Sequence, residues 1–173
     1  MAEIEITCGL EVGEAFFEDV RSKGEVVMVI PRPGGKLLLI TKPFYPEGVY
    51  RLPSGQIEGD ESPEDALHRE ALEETGFEVG IQRRLGTVRF TFRTGARTLD
   101  YESHVMLTDT TSGEPSPQDP GEQISAFREV EPCDLQVIAE ELAALPGRWS
   151  DWGRFRAPAH RLVYQLLCER PPR

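Results

Sequence analysis

Hydrophobic residues along the chain fall into two patterns, short unbroken runs and longer stretches with helical spacing. Val26-Val27-Met28-Val29-Ile30, closed by Pro31, and Leu37-Leu38-Leu39-Ile40-Thr41, which follows Pro33-Gly34-Gly35, are runs of the first kind. Continuous aliphatic runs of this length mark strands buried on both faces, and the turn residues between them predict a hairpin. A turn-rich loop over 43–48 leads to Val49-Tyr50-Arg51-Leu52, and Pro53-Ser54-Gly55 predicts the end of that strand. Residues 82–93 and 98–107, split by Thr94-Gly95-Ala96-Arg97, predict a second pair of strands, and Ile124 to Val130 a last one. Residues 132–145 and 158–167 carry apolar positions at helical spacing, each opening near a proline. An irregular join over 146–157 holds Trp149 and Trp152. Between 108 and 121, three prolines, two glycines and five Ser or Thr residues predict a surface loop or lid.

One helix has agreeing signals at both ends. Ser62 stands at an N-cap, Pro63 at N1 and Asp65 at N3 in a capping-box arrangement, while Gly76 supplies the stop. The expected helix runs from Pro63 to Thr75, about four turns.

Composition narrows the classes. A chain of 173 residues, 39% hydrophobic and 28% charged, fits one folded domain over residues 1–173. The longest apolar runs are too short to cross a bilayer, and the start lacks the basic region of a signal peptide, so a cytosolic, non-membrane protein is expected. Cys8, Cys133 and Cys168 are odd in number and at no metal spacing, which predicts reduced, unpaired thiols and no cysteine-based zinc site. The net charge is −11, and from Glu58 to Glu78 nine acidic residues face one Arg, Arg69. Such acidity argues against a nucleic-acid footprint. It predicts either a solvated acidic face or a bound divalent cation.

The angular placement of the acids favours the cation. With Leu67 at zero, the helical step of about 100° puts Glu74 about 20° and Glu70 about 60° from it, inside the apolar arc with Ala71. Glu73 falls at the edge of that arc. Burying an ionised carboxylate without a partner costs several kcal/mol. Hard cations such as Mg²⁺ and Mn²⁺ prefer the oxygen ligands that carboxylates at i, i+3 and i+4 present.

The same residues carry a resemblance. Gly55, five residues, Glu61, seven residues, then Arg69-Glu70-Ala71-Leu72-Glu73-Glu74-Thr75-Gly76-Phe77 is similar to the Nudix box at all nine specified positions. Ala71, where a larger aliphatic residue is commoner, is the one soft departure. The resemblance implies an α+β fold, an α/β/α sandwich with a mixed β-sheet, the box helix on one face and the C-terminal helices on the other. It implies Glu70, Glu73 and Glu74 as ligands of Mg²⁺ or Mn²⁺, with the carbonyl of Gly55 or Ser54 as a backbone ligand. Arg69 would pair with Glu61 and hold the catalytic glutamates Glu70 and Glu74. Gly55 is expected to be glycine because a close backbone approach to a cation or phosphate leaves no room for a Cβ.

The implied activity is hydrolysis of a nucleoside diphosphate linked to another group, by water attack on phosphorus, ADP-ribose-like or nucleotide-sugar compounds being favoured. Glu122, after the 115–121 segment, is the expected distal catalytic carboxylate, with Asp119 as competitor. Arg51 is a candidate for the phosphate or ribose. Phe44, Tyr45, Tyr50, Phe90, Phe92 and Tyr101 are candidates for base stacking, Phe90 and Tyr101 foremost. His68 and His104 are expected to be structural or exposed, and His160 to lie away from any motif. None of the family's auxiliary substrate markers is present. The alternatives are a nucleotide sensor without turnover, a pyrophosphatase of nucleoside triphosphates, and isopentenyl diphosphate isomerisation, for which the cysteines lie in no matching context. A homodimer through the apolar 4–17 segment is a further expectation.

Overall fold

The computed structural model describes residues 3–169. Its centre is β2 (Gly24–Val29), buried at every position. Val26, Met28 and Ile30 pack with Ala66, Leu67 and Ala71 of α2 (Pro63–Thr75), whereas Val27 and Val29 face the opposite core, which includes Phe155, Leu162 and Val163 of α4 (Ser150–Leu167). The unbroken hydrophobic run of β2 therefore reports a strand covered on both sides. The sheet around it has the order β1-β5-β6-β2-β4, from β1 (Ile4–Glu11), β5 (Ile81–Thr94), β6 (Arg97–Thr108) and β4 (Ser54–Gln56). β1 and β5 are parallel, β5 and β6 antiparallel, β6 and β2 parallel, and β2 and β4 antiparallel. The mixed sheet between helices is the expected α+β sandwich.

The predicted β5–β6 hairpin and the last strand, β7 (Ala126–Val130), are present. Other expectations change. β2 and β3 (Leu37–Thr41) do not form a regular hairpin: β3 pairs with β7 in a separate two-stranded sheet, and only the Pro31–Leu37 bridge and the bond from Leu38 N to Ile30 O join the two runs. The Pro53-Ser54-Gly55 signal begins a strand rather than ending one, since Val26 pairs with Gly55 and Val27 with Ser54. α4 starts at Ser150 and runs through Pro158, and so absorbs most of the join expected to be irregular. Its partner is α3 (Leu135–Ala143), and a Cβ on Gly153 would lie 1.9 Å from Leu142 O, which explains the close crossing of the two helices. The apolar 4–17 segment forms β1 and α1 (Glu14–Asp19), and the β1 side chains Ile4, Ile6, Cys8 and Leu10 pack onto the core of this same chain.

The cysteine expectation is overturned as well. Cys133 and Cys168 form a disulfide, with Cα atoms 5.2 Å apart, tying the approach to α3 to the end of α4. Their separation of 35 residues carries no local signal. Cys8 remains free, and burial pushes its thiol above the ordinary value.

α2 carries the Ser62 half of the expected capping box and the expected glycine stop. Ser62 Oγ accepts from Asp65 N at 3.1 Å, and Gly76 closes the helix at φ 75. Gly76 meets a second demand, because a Cβ there would lie 2.3 Å from Ser116 O. That contact belongs to the 108–121 segment, which is an anchored loop rather than a free lid. Ser116 N donates to Thr75 O, and both Gln118 N and Asp119 N donate to Glu73 O. The loop thus satisfies carbonyls that the end of a helix leaves unpaired. It also delivers Glu122 to α2.

Candidate metal and catalytic site

The inward side of α2 holds Glu70 and Glu74, 5% and 1% exposed. Leu67 and Ala71 bury the helix against β2, and the 3.6-residue period carries the two glutamates in with them. Glu70 Oε2 and both Glu74 carboxylate oxygens are buried and accept no hydrogen bond among the described residues. Burial pushes Glu70 up to about 7, partly offset by Arg69 and reinforced by Glu122 and Glu73. Burial also raises Glu74; the Arg51 charge opposes the shift and the Glu70 charge adds to it. Carboxylate oxygens of Glu70, Glu73 and Glu122 all lie within 4.8 Å of one another. Orphaned buried oxygens beside three converging carboxylates fit a hard divalent cation, which removes both the desolvation cost and the mutual repulsion.

Arg69 sets the geometry of this group. Its Nε and Nη2 donate to Glu61 at 2.9 and 2.8 Å, its Nη1 to Glu70 at 2.7 Å and Glu73 at 3.2 Å, and Nη2 also to Gln56 O at 2.9 Å. One guanidinium thereby ties the turn before α2, the β4 backbone and two carboxylates together. Gly55 faces Glu70: an added Cβ would lie 1.9 Å from Glu70 Cδ. The group that excludes a side chain at Gly55 is therefore the Glu70 carboxylate itself, a correction to the reason expected from the sequence.

Glu122 closes a 3₁₀ turn, Pro120–Glu122, and lies 3.7 Å from Lys42 Nζ. Asp119 makes that turn instead of joining the group, its Oδ1 accepting from Gly121 N at 2.8 Å. Arg51 is buried, with Nε on Tyr45 Oη at 2.8 Å and Nη1 on Leu52 O at 3.0 Å and Ser54 Oγ at 2.9 Å.

A cleft of about 900 Å³ is lined by Glu70, Glu122, Lys42, Arg51 and Gly55. Tyr101, Phe155, Phe44, Trp149 and Trp152 line it as well. Of the aromatic candidates, Phe92, fully buried, packs behind Tyr101, and Phe44 and Tyr101 line the cleft. Phe90 does not: it is 2% exposed and stacks in the core on Phe92 and Phe155, with centroids 5.4 and 5.1 Å away. Tyr50 lies elsewhere, under Arg128.

Several residues at the cleft escaped the sequence reading. Trp149 and Trp152 fell in the segment taken as irregular, although Trp152, Phe155 and Ala159 have helical spacing. Glu25 and Arg156 form a buried ion pair across 131 residues, for which only a charge at the head of a buried run gave a signal. His160 is not remote from the motif. Its Nε2 accepts from Leu52 N at 3.0 Å, and its Nδ1 lies 2.9 Å from Arg156 O. Burial holds this imidazole down at about 4, so it is neutral and bonded through both nitrogens. It thus steadies the chain two residues before Ser54. His68 is exposed; His104 is half-buried beside Glu102 and held below the ordinary range by burial.

Comparison with known proteins agrees with this geometry. The NUDIX domain family profile matches residues 22–153. The oxidized purine nucleoside triphosphate hydrolase of Danio rerio is 30% identical over 98 residues, a match spanning 57% of this chain and 62% of that protein. The GDP-mannose pyrophosphatase of Yersinia enterocolitica is 33% identical over 72 residues, covering 38% of each chain. An ADP-ribose pyrophosphatase from Streptococcus suis shares the fold, with a TM-score of 0.52 at 20% identity over 88% of this chain and 96% of that one. With the box filled on α2, Glu70 and Glu74 buried, Glu70 lining the cleft and the family profile spanning most of the sequence, this chain belongs to the Nudix domain family.

Proposed function

We propose that this chain is a divalent-cation-dependent pyrophosphohydrolase that cleaves a nucleoside diphosphate linked to another group, with ADP-ribose-like compounds and nucleotide sugars as its substrate class. The observation that carries the reading is the set of buried, unpartnered carboxylate oxygens of Glu70 and Glu74, Glu70 lining a cleft walled in part by aromatic side chains. The relatives named for GDP-mannose and ADP-ribose hydrolysis support the substrate class.

Glu70, Glu73 and Glu74, with Glu122 and a backbone carbonyl at Ser54 or Gly55, would hold Mg²⁺ or Mn²⁺. Such an ion, when bound, neutralises phosphoryl oxygens and makes a bound water more acidic. The chain's own residues do the rest. Arg69 keeps the Glu70 and Glu73 carboxylates aimed inward, and Lys42 and Arg51 meet the substrate phosphates at the same end of the cleft. Glu122, 24% exposed and beside the other carboxylates, accepts the proton of the attacking water. Water oxygen bonds to one phosphorus as the bridging anhydride bond breaks. The products are a nucleoside monophosphate and the phosphorylated second group.

The test is a panel of dinucleotides, nucleotide sugars and nucleoside triphosphates with Mg²⁺ or Mn²⁺, scored for cleavage. Glu70→Gln is expected to lower kcat by at least about 100-fold without unfolding, and Glu122→Gln to lower kcat with little change in KM. An unchanged rate for Glu122→Gln removes that residue from the mechanism. Tight nucleotide binding without cleavage by the wild type refutes the enzyme reading in favour of a sensor.

A further inference from the structure

The cleft has a second polar feature beyond the carboxylates. Glu25 of β2, 3% exposed, accepts from Ser103 Oγ at 2.7 Å and from Arg156 Nη1 at 3.0 and 2.8 Å, so both of its oxygens are filled. Arg156 is not satisfied in the same way. Its Nη1 is committed to Glu25, its Nε is buried with no partner among the described residues, and Nη2 is bonded to none of them. The side chain keeps 16% of its surface exposed, lies 4.6 Å over the Phe155 ring and lines the cleft. A guanidinium already neutralised by a carboxylate exerts little pull on an anion, a task left to Lys42 and Arg51, which line the same cleft. It still offers N–H donors to a neutral acceptor. The walls here are aromatic: Phe16 and Tyr101 inside, backed by the fully buried Phe92, with Trp149 and Trp152 at the rim. Flat apolar walls with a fixed donor suit a planar heterocycle carrying an acceptor.

We propose that the part of the cleft beside Arg156 takes the nucleobase and that Arg156, held by Glu25 and Ser103, selects bases with a carbonyl where adenine has its amino group, guanine or uracil, over adenine. The inference rests on the reading of the chain as a nucleotide pyrophosphohydrolase and narrows its substrates. Guanine presents O6 and N7 as adjacent acceptors and uracil presents O4, whereas adenine carries an amino donor at the corresponding position, which would set N–H against N–H. A site built around a buried donor rejects the analogue that leaves it unpaired.

The experiment measures binding apart from turnover. The chain has two tryptophans, both at the cleft rim, so their fluorescence reports GMP, UMP and AMP with Mn²⁺ present. GMP and UMP are expected to bind at least about 10-fold more tightly than AMP. The double variant Glu25→Gln/Arg156→Met removes the pair without stranding a charge. It is expected to bring the three affinities within about threefold by weakening GMP and UMP, since the donor that discriminates is gone. AMP binding as tightly as GMP to the wild type overturns the proposal, as does a double variant that keeps the preference. If that variant does not fold, the wild-type ranking alone decides. Equal affinities with nucleotide-sugar hydrolysis intact would sink the base assignment and spare the pyrophosphohydrolase reading. Ranked binding without hydrolysis would do the reverse.

Discussion

Glu74→Gln should separate stability from activity in a pH-dependent way. Glu74 is 1% exposed, accepts no hydrogen bond among the described residues, and feels the Glu70 charge on its own helix. Its neighbour Glu70, similarly buried, is raised from 4.5 to about 7. At about 1.4 kcal/mol per pKa unit, a carboxylate shifted that far costs the folded state about 3 kcal/mol once ionised. The sign follows from proton counts. Between the unfolded and folded values the native state holds the extra proton, so stability is greatest below about 4.5 and is lost as pH rises through the folded value. The glutamine variant lacks one such group. Thermal unfolding in a chelator at pH 5 and pH 8 measures the difference. Any constant cost of burying the amide is the same at both pH values and cancels. The midpoint of Glu74→Gln relative to wild type should rise by about 6–12 °C from pH 5 to pH 8, taking 2–4 °C per kcal/mol for a chain of this size. Mn²⁺ at pH 8 should restore the wild type and stabilise the variant far less. A midpoint difference that does not move with pH would refute the claim that Glu74 is held as an uncompensated buried carboxylate.

Three further outcomes follow from particular contacts. Gly55→Ala places a Cβ 1.9 Å from Glu70 Cδ and should push that carboxylate out of line, weakening Mn²⁺ binding by at least about tenfold in calorimetry while the fold persists. Reduction of Cys133–Cys168, or replacement of both by Ser, should cost about 3–4 kcal/mol for a closed loop of this length. Unfolding with and without reductant measures the loss, and thiol titration of the unfolded, unreduced chain should find Cys8 alone. His160→Phe leaves Leu52 N–H without its acceptor, at a cost of about 1–3 kcal/mol, and hydrogen exchange at the Leu52 amide should accelerate beyond the change in global stability.

Much of the site could be read from the chain because its signals are local. A cap at Ser62, a stop at Gly76 and the angular spacing of Leu67, Glu70, Ala71 and Glu74 all act within a few residues, and helix geometry alone converts them into two carboxylates on the buried face. The β5–β6 hairpin was legible for the same reason, a short turn between two alternating segments. The pairing of β3 with β7 in place of β2 was not, since a strand's partner is chosen by packing and the runs at 26–30 and 37–41 are equally compatible with either. Phe90 and Phe92 illustrate the limit at the level of one side chain. Both read as candidates for base stacking, and the surrounding core takes both, 0% and 2% exposed and stacked on each other, leaving Phe44 and Tyr101 to line the cleft.

The amino-acid order by itself determined the α2 helix and the placing of Glu70 and Glu74 on its buried face. Only the tertiary structure decided what meets them: Glu122 brought over by a loop hydrogen-bonded to the end of α2, Glu25 joined to Arg156, Leu52 held by His160, and Cys133 bound to Cys168. The division has one physical cause. Backbone geometry fixes which residues of a single helix or strand share a face, whereas the partner of a residue dozens of positions away is set by how whole layers bury their apolar surfaces.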